Sequence, residues 1–189
     1  MPGRVRKLIA NALRRYHADC RHPGLTEEGV RNVASFLTEN AARNVYRAFL
    51  QPSREMVNAN DLLGALILFS GAKSNKRTKM LFGMFDIAAG DGSINKAEMT
   101  MGVRSCLRAY TVCTGCEHVP TSVAEMCSTC AFEDADDLPD GKISSYIEFW
   151  SWLSKNPQAR EVLGYTYFQK LSVSSARTRA GGHGSPRTP

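Results

Sequence analysis

Val5, Leu8, Ile9, Ala12, Leu13 and Tyr16 recur at the spacing of one helical face. Asp19-Cys20-Arg21-His22-Pro23-Gly24 interrupts that stripe, with Pro and Gly as breakers. Thr26 then predicts an N-cap, with Glu27 and Glu28 in the first turn of a helix carrying Val30, Val33, Ala34 and Leu37. A helix over 41–50 turns Val45, Tyr46, Phe49 and Leu50 inward and ends ahead of Pro52. Asn60 or Asp61 starts the next, over 62–69, which stops at Gly71. The basic stretch 73–79 reads as a connector, followed by a helix over 78–85 that leads into an acidic loop. A helix over 96–112 leads out of that loop, and Pro120-Thr121 precedes another that carries Val123, Met126 and Cys127 to Phe132. A second acidic loop follows, then a helix over 146–153 and a last one opened by Pro157 over 158–171. The result is helix–loop–helix four times with no alternating strand pattern. The fold class is therefore all-α, with short pairings only at Ile94 and Ile143.

Composition changes this picture little. An apolar fraction of 43% is that of an ordinary globular chain. No apolar run reaches the roughly 18 residues that span a bilayer. The N-terminus lacks the apolar core and cleavage site of a secretory signal, and Pro2 stands where myristoylation needs Gly. Charge matters more. The net +6 is concentrated in the first helix (Arg4, Arg6, Lys7, Arg14, Arg15) and the tail, while acids crowd 133–140. The basic first helix would allow weak contact with an anionic membrane surface, although a plain solvated face is the simpler account. Positions 172–189 hold Ser, Arg, Gly and Pro with almost no large apolar residue, which predicts a disordered tail.

The two acidic loops carry the candidate chemistry. A twelve-position calcium loop of the EF-hand type places oxygens at positions 1, 3, 5, 7, 9 and 12, with Gly at 6 and an apolar residue at 8. With Ile94 at position 8, Asp91 is 5, Gly92 is 6, the Ser93 carbonyl is 7, Asn95 is 9 and Glu98 is 12. Asp86 lies one residue too far back for position 1, and Ala88 or Ala89 falls at position 3. In the second loop Ile143 takes position 8, so Asp140 is 5, Gly141 is 6, the Lys142 carbonyl is 7 and Ser144 is 9. Asp134 and Asp136 have the spacing of positions 1 and 3, and Glu148 comes one residue late for position 12. One residue turns a helix by about 100°, so Glu148 serves only if its helix starts late. Phe149, Trp152 and Leu153 take the inward phase that such a late start requires. The stretches 19–29 and 50–61 lack the acids for an ion.

Between the loops stands a different array. Cys113, Cys116, Cys127 and Cys130 form two CxxC units, with the spacing of a tetrahedral zinc site. Four of the six cysteines in such units fit a reducing compartment better than a disulfide frame. Free thiols and a redox pair are the other readings. Four thiolates would leave zinc no open position, so its role would be structural. Cys20 and Cys106 read as ordinary buried thiols.

The order of these features resembles the neuronal calcium sensor and calcineurin B group of four-EF-hand proteins. The likeness rests on Asp19-Cys20 with Pro23-Gly24-Leu25 and Gly29, on VNANDLLGALILFSG, on 76–86, and on EFWSWLSKNPQAREVL. It implies four EF-hand units in two paired lobes, an ion-free pair over 1–72 and a calcium pair over 73–171 holding the zinc clamp between hands three and four. It also implies a non-enzymatic, cytoplasmic calcium-responsive adaptor. Ion binding would expose Met80, Met84, Phe85, Met99, Met101, Phe149 and Trp152 to a target helix. A permanent core is the plainer account of the same residues. The alternative function is a calcium-independent, zinc-stapled scaffold in a cytoskeletal or ciliary assembly. No nucleophile–base pair or phosphate-binding glycine loop suggests an enzyme, and nucleic-acid binding lacks interleaved aromatics.

Overall fold

The computed structural model describes residues 11, 24–51, 55–86, 90–116, 120–133 and 141–163. Eight helices stand among them: α1 (Glu27–Val33), α2 (Glu39–Phe49), α3 (Ala59–Leu68), α4 (Ser74–Phe85), α5 (Lys96–Thr114), α6 (Thr121–Glu133), α7 (Tyr146–Lys155) and α8 (Pro157–Val162). Three short strands accompany them: β1 (Gly24–Leu25), β2 (Leu50–Gln51) and β3 (Met56–Asn58), in the order β1-β3-β2. The all-α reading holds at this level, and no described helix is long and apolar enough to cross a membrane. The first helix, Cys20, the 134–140 acids and the tail lie outside the described residues.

The helix starts are written in single side chains. Thr26 Oγ1 accepts from Gly29 N at 3.2 Å, as its N-cap reading required, and Thr38 does the same for Ala41 N at 3.3 Å. Asn95 and Glu98 form a reciprocal capping box, each side chain bonded to the other's backbone N–H at 3.0 Å. Asn156 caps α8, whose first residue is Pro157. At the far end of α5, Gly115 takes φ 68 and donates to Thr111 O, a left-handed close.

One unit recurs in this framework. A buried apolar residue bridges two loops, and a polar N-cap and a helix follow it. Leu25 pairs antiparallel with Val57, and Ile94 pairs with Ile143. The latter pair exchanges two backbone hydrogen bonds of 2.9 Å, at the positions where strand pairing was expected. Thr26, Asn58 and Asn95 cap helices immediately after Leu25, Val57 and Ile94. After Ile143 the cap waits one residue, to Ser145. Two residues before Val57, Ile94 and Ile143 the backbone is left-handed: Glu55 at φ 51, Gly92 at 81 and Gly141 at 64.

Several boundaries depart from expectation: α1 ends at Val33, short of Leu37, and α8 at Val162, short of 171. Asn58 caps α3 at Ala59, so Asn60 and Asp61 lie inside the helix and are buried. α2 begins at Glu39, two residues before the expected start. Leu50 leaves α2 to pair with Val57 in β2, because Val57 offers its second edge there. The stretch read as a connector at 73–79 is the first turn of α4, which begins at Ser74. Its charges concealed it, yet Arg77 is 7% exposed and Thr78 is fully buried. Tyr146 OH donates to Asn75 O at 3.0 Å and ties this turn to α7.

A single apolar core runs through the helices and through β1 and β3, from Leu25 and Val30 to Leu153 and Leu163. α3 crosses α5 closely: a Cβ at Gly64 would stand 3.4 Å from Ser105 O. Phe149 is the aromatic hub, with ring centroids 5.6 Å from Phe85, 5.9 Å from Phe82 and 5.8 Å from Trp152. The ring of Phe85 lies on Gly102, where any Cβ would overlap it.

Candidate functional site

The first acidic loop hangs between the end of α4 and the start of α5. Asp86 caps α4 and is 9% exposed. Its Oδ2 accepts from Gly92 N at 3.0 Å, across the loop. Its Oδ1 is buried without a hydrogen-bond partner. A buried, unpaired carboxylate oxygen is costly, and a cation is one way to satisfy it. The carboxylate that sequence spacing set one residue too far back thus folds over the loop and meets the position-6 amide.

The other first-loop candidates point elsewhere. Asp91 Oδ1 accepts from Ser93 N at 2.9 Å and from Ser93 Oγ at 2.6 Å, closing a tight turn. Asp91 Oδ2 lies 3.1 Å from Lys142 Nζ, so the side chain of the second loop reaches the first. The Ser93 hydrogen bonds, and after them Lys142, hold the Asp91 carboxyl down at about 2. Asn95 and Glu98 are joined in the capping box, with Glu98 3% exposed.

In the second loop the described residues are 141–148. Ser145 caps α7 through Glu148 N at 3.2 Å, so Glu148 is the third residue of its helix, as Glu98 is of α5. The helix does start late, as the inward phase of Phe149 and Trp152 requires. Glu148 Oε2 accepts from Ser144 N at 2.8 Å, one residue ahead of the cap. Asp134, Asp136 and Asp140 lie outside the described residues. Among the described residues no three His, Cys, Asp or Glu side chains stand together as a metal-ligand group. The carboxylates are turned to Ser93, Lys142, Asn95 and Ser144 instead.

The four array cysteines are all described. Cys113 and Cys116 are exposed at the end of α5, and Cys127 and Cys130 are half-buried one turn apart on α6. Among the described residues they do not stand together as a ligand group. Burial raises the Cys127 thiol to about 11, with Cys130 adding to it, and partial desolvation raises that of the more exposed Cys113. Cys106 is fully buried, as read from its surroundings, and its thiol is raised by desolvation.

Of the residues proposed for a partner groove, Met84, Phe85, Met99 and Phe149 are at most 1% exposed, and Trp152 is 7% exposed. Met80 is partly buried, while Met101 is 40% exposed. Sequence reasoning missed two partnerships, Lys142 with Asp91 and Asp61 with Arg108. No periodicity or motif announces either one. Compared with protein-family models and with curated proteins, the chain gives no match.

Proposed function

We propose that the chain is a calcium-binding EF-hand protein that acts as a non-enzymatic adaptor for a target helix. The observation that carries this reading is Asp86, with one oxygen on Gly92 N and the other buried and unpartnered. The bridge Ile94–Ile143, the left-handed residues ahead of it and the caps behind it support the reading, because an EF-hand loop needs that frame. The matching Leu25–Val57 bridge supports an ion-free pair ahead of it. In the first loop Asp86, Asp91, the Ser93 carbonyl, Asn95 and Glu98 would supply oxygens. In the second, Asp134, Asp136, Asp140, the Lys142 carbonyl, Ser144 and Glu148 would do so. To hold calcium, Asp91 and Glu98 would have to give up their present partners, Ser93, Lys142 and Asn95. The apolar side chains closed within the core are those an opening of the units would offer to a helix.

Zinc on Cys113, Cys116, Cys127 and Cys130 rests on the CxxC spacing alone, and with it the calcium-independent scaffold. Metal stoichiometry on the purified full chain, joined to a calcium titration read by Trp150 and Trp152 fluorescence, tests both. A saturable change in wild type that is lost in Asp86→Asn supports the adaptor. Zinc bound with no response to millimolar calcium would overturn it in favour of the scaffold.

A further inference from the structure

The face of α5 opposite Met99, Val103 and Cys106 borders a cleft of about 780 Å³. Its walls come from the start of α3, the β2 and β3 strands, α5 and the first residues of α6. We infer that this cleft is a docking site for an acidic peptide segment of a protein partner, whose carboxylates are taken by Arg104 and Arg108. This goes beyond the calcium reading and requires no ion.

The argument starts at Asp61, which is buried on the cleft floor. Its Oδ2 lies 2.9 Å from Arg108 Nε. Ser105 and Gln51 lie near this carboxylate and favour its charged form against desolvation. The contact is an ion pair through Nε without an aligned hydrogen bond, and it leaves the two terminal nitrogens for something else. The Arg108 side chain is 36% exposed against 4% for Asp61, so the outer part of its fork faces solvent in the cleft. Among the described residues nothing accepts from those nitrogens. Arg104 stands one turn earlier on the same helical face, lines the same cleft and has no partner among the described residues. Asp61 cancels one positive charge and orients the fork that carries it. The remaining charge and two outward guanidinium edges suit carboxylates, which a fork binds in bidentate fashion.

The rest of the wall points to a peptide. Thr100, Thr111 and Thr121 offer hydroxyls, and Met101 offers apolar surface. Exposed methionine adapts to varied side chains. The volume is within the roughly 300–1,000 Å³ of ligand sites and admits a few residues.

The test uses the full chain with chelator present and a short fluorescein-labelled peptide alternating Glu with Leu and Ser. Saturable binding is expected in fluorescence anisotropy. Arg104→Gln should weaken it about tenfold, the loss of one charge-assisted contact. Arg108→Lys, which keeps charge but not the fork, should weaken it as well. Arg160→Gln removes the same charge outside the cleft and should leave binding unchanged. The inference is overturned if wild type does not bind. It is equally overturned if Arg104→Gln and Arg160→Gln weaken binding alike, or if a peptide with Gln in place of Glu binds as well. Preferential binding of a single-stranded oligonucleotide, lost in Arg104→Gln, would assign the cleft to nucleic acid instead. Because no calcium is present, none of these results depends on the ion loops.

Discussion

Lys142 Nζ lies 3.1 Å from Asp91 Oδ2, so the ammonium of one acidic loop rests on a carboxylate of the other. Both side chains are 42% exposed, so solvent screens the pair and it adds little to stability. Calcium in the first loop would have to displace that ammonium from Asp91. Lys142→Met is therefore expected to tighten calcium binding by up to about fivefold, measured by calorimetry on the full chain. The gain should shrink at high salt, which screens the pair in wild type already. Weaker binding in the variant would count against the displacement.

The pair formed by Asp61 and Arg108 is asymmetric. Asp61 is buried and Arg108 is partly exposed, so losing either partner has different costs. Arg108→Met leaves a carboxylate in the interior, and about 2 kcal/mol of destabilisation is expected at neutral pH, less than a fully buried pair would lose. Asp61→Asn leaves an arginine that water can reach, and about 1 kcal/mol is expected. Desolvation already raises the Asp61 carboxyl, which means the folded state holds its proton more firmly than the unfolded state. Stability from this group is thus greatest below the unfolded value of 3.8 and falls as pH rises through the folded value. The Arg108→Met deficit should accordingly narrow on acidification. Denaturant melts across pH decide this, and a deficit that does not change with pH would refute the account.

Gly102 is held by Phe85. Gly102→Ala gains about 1 kcal/mol of helix propensity, but the new methyl overlaps a buried ring. Overpacking costs about 1–3 kcal/mol, so a net loss of about 1 kcal/mol is expected in thermal or denaturant unfolding. Phe85→Leu in the same chain should remove most of that penalty, and strictly additive effects would argue against the contact.

Glu55 occupies a left-handed backbone at φ 51, where the equivalent positions of the other two loops are Gly92 and Gly141. Such a conformation costs a side-chain-bearing residue about 1–2 kcal/mol. Glycine removes that cost and returns part of the gain to the unfolded chain. Glu55→Gly is expected to stabilise by up to about 1 kcal/mol. Tyr46 OH donates to the backbone carbonyl of residue 55, so that bond survives the change. A destabilised variant would mean the Glu55 side chain contributes more than its backbone costs.

Features governed by neighbours in the chain were legible from residue order. The Thr26 cap, the pairing of Ile94 with Ile143 and the delayed start of α7 follow from spacing and side-chain type. The first turn of α4 was not legible, because its Lys and Arg residues look like solvent-facing positions until Arg77 and Thr78 are seen buried. β2 was hidden because Leu50 satisfies a helical pattern and a strand pairing equally well. The candidate loops were located, but not the direction of their carboxylates. Asp91 could bond Ser93 two residues away or an ion, and Lys142 arrives from 51 residues on. Asp61 and Arg108 are related only by the crossing of α3 over α5, which no local signal encodes.

The 19-residue α5 joins features described separately above. Glu98 lies in its first turn, Gly102 beneath Phe85 in its second, and Arg104 and Arg108 further along the opposite side. A helix of this length is a stiff rod of about 28 Å. It cannot twist at one end and stay still at the other. Glu98, Arg104 and Arg108 therefore share one rigid element, wedged between Gly64 of α3 and the ring of Phe85.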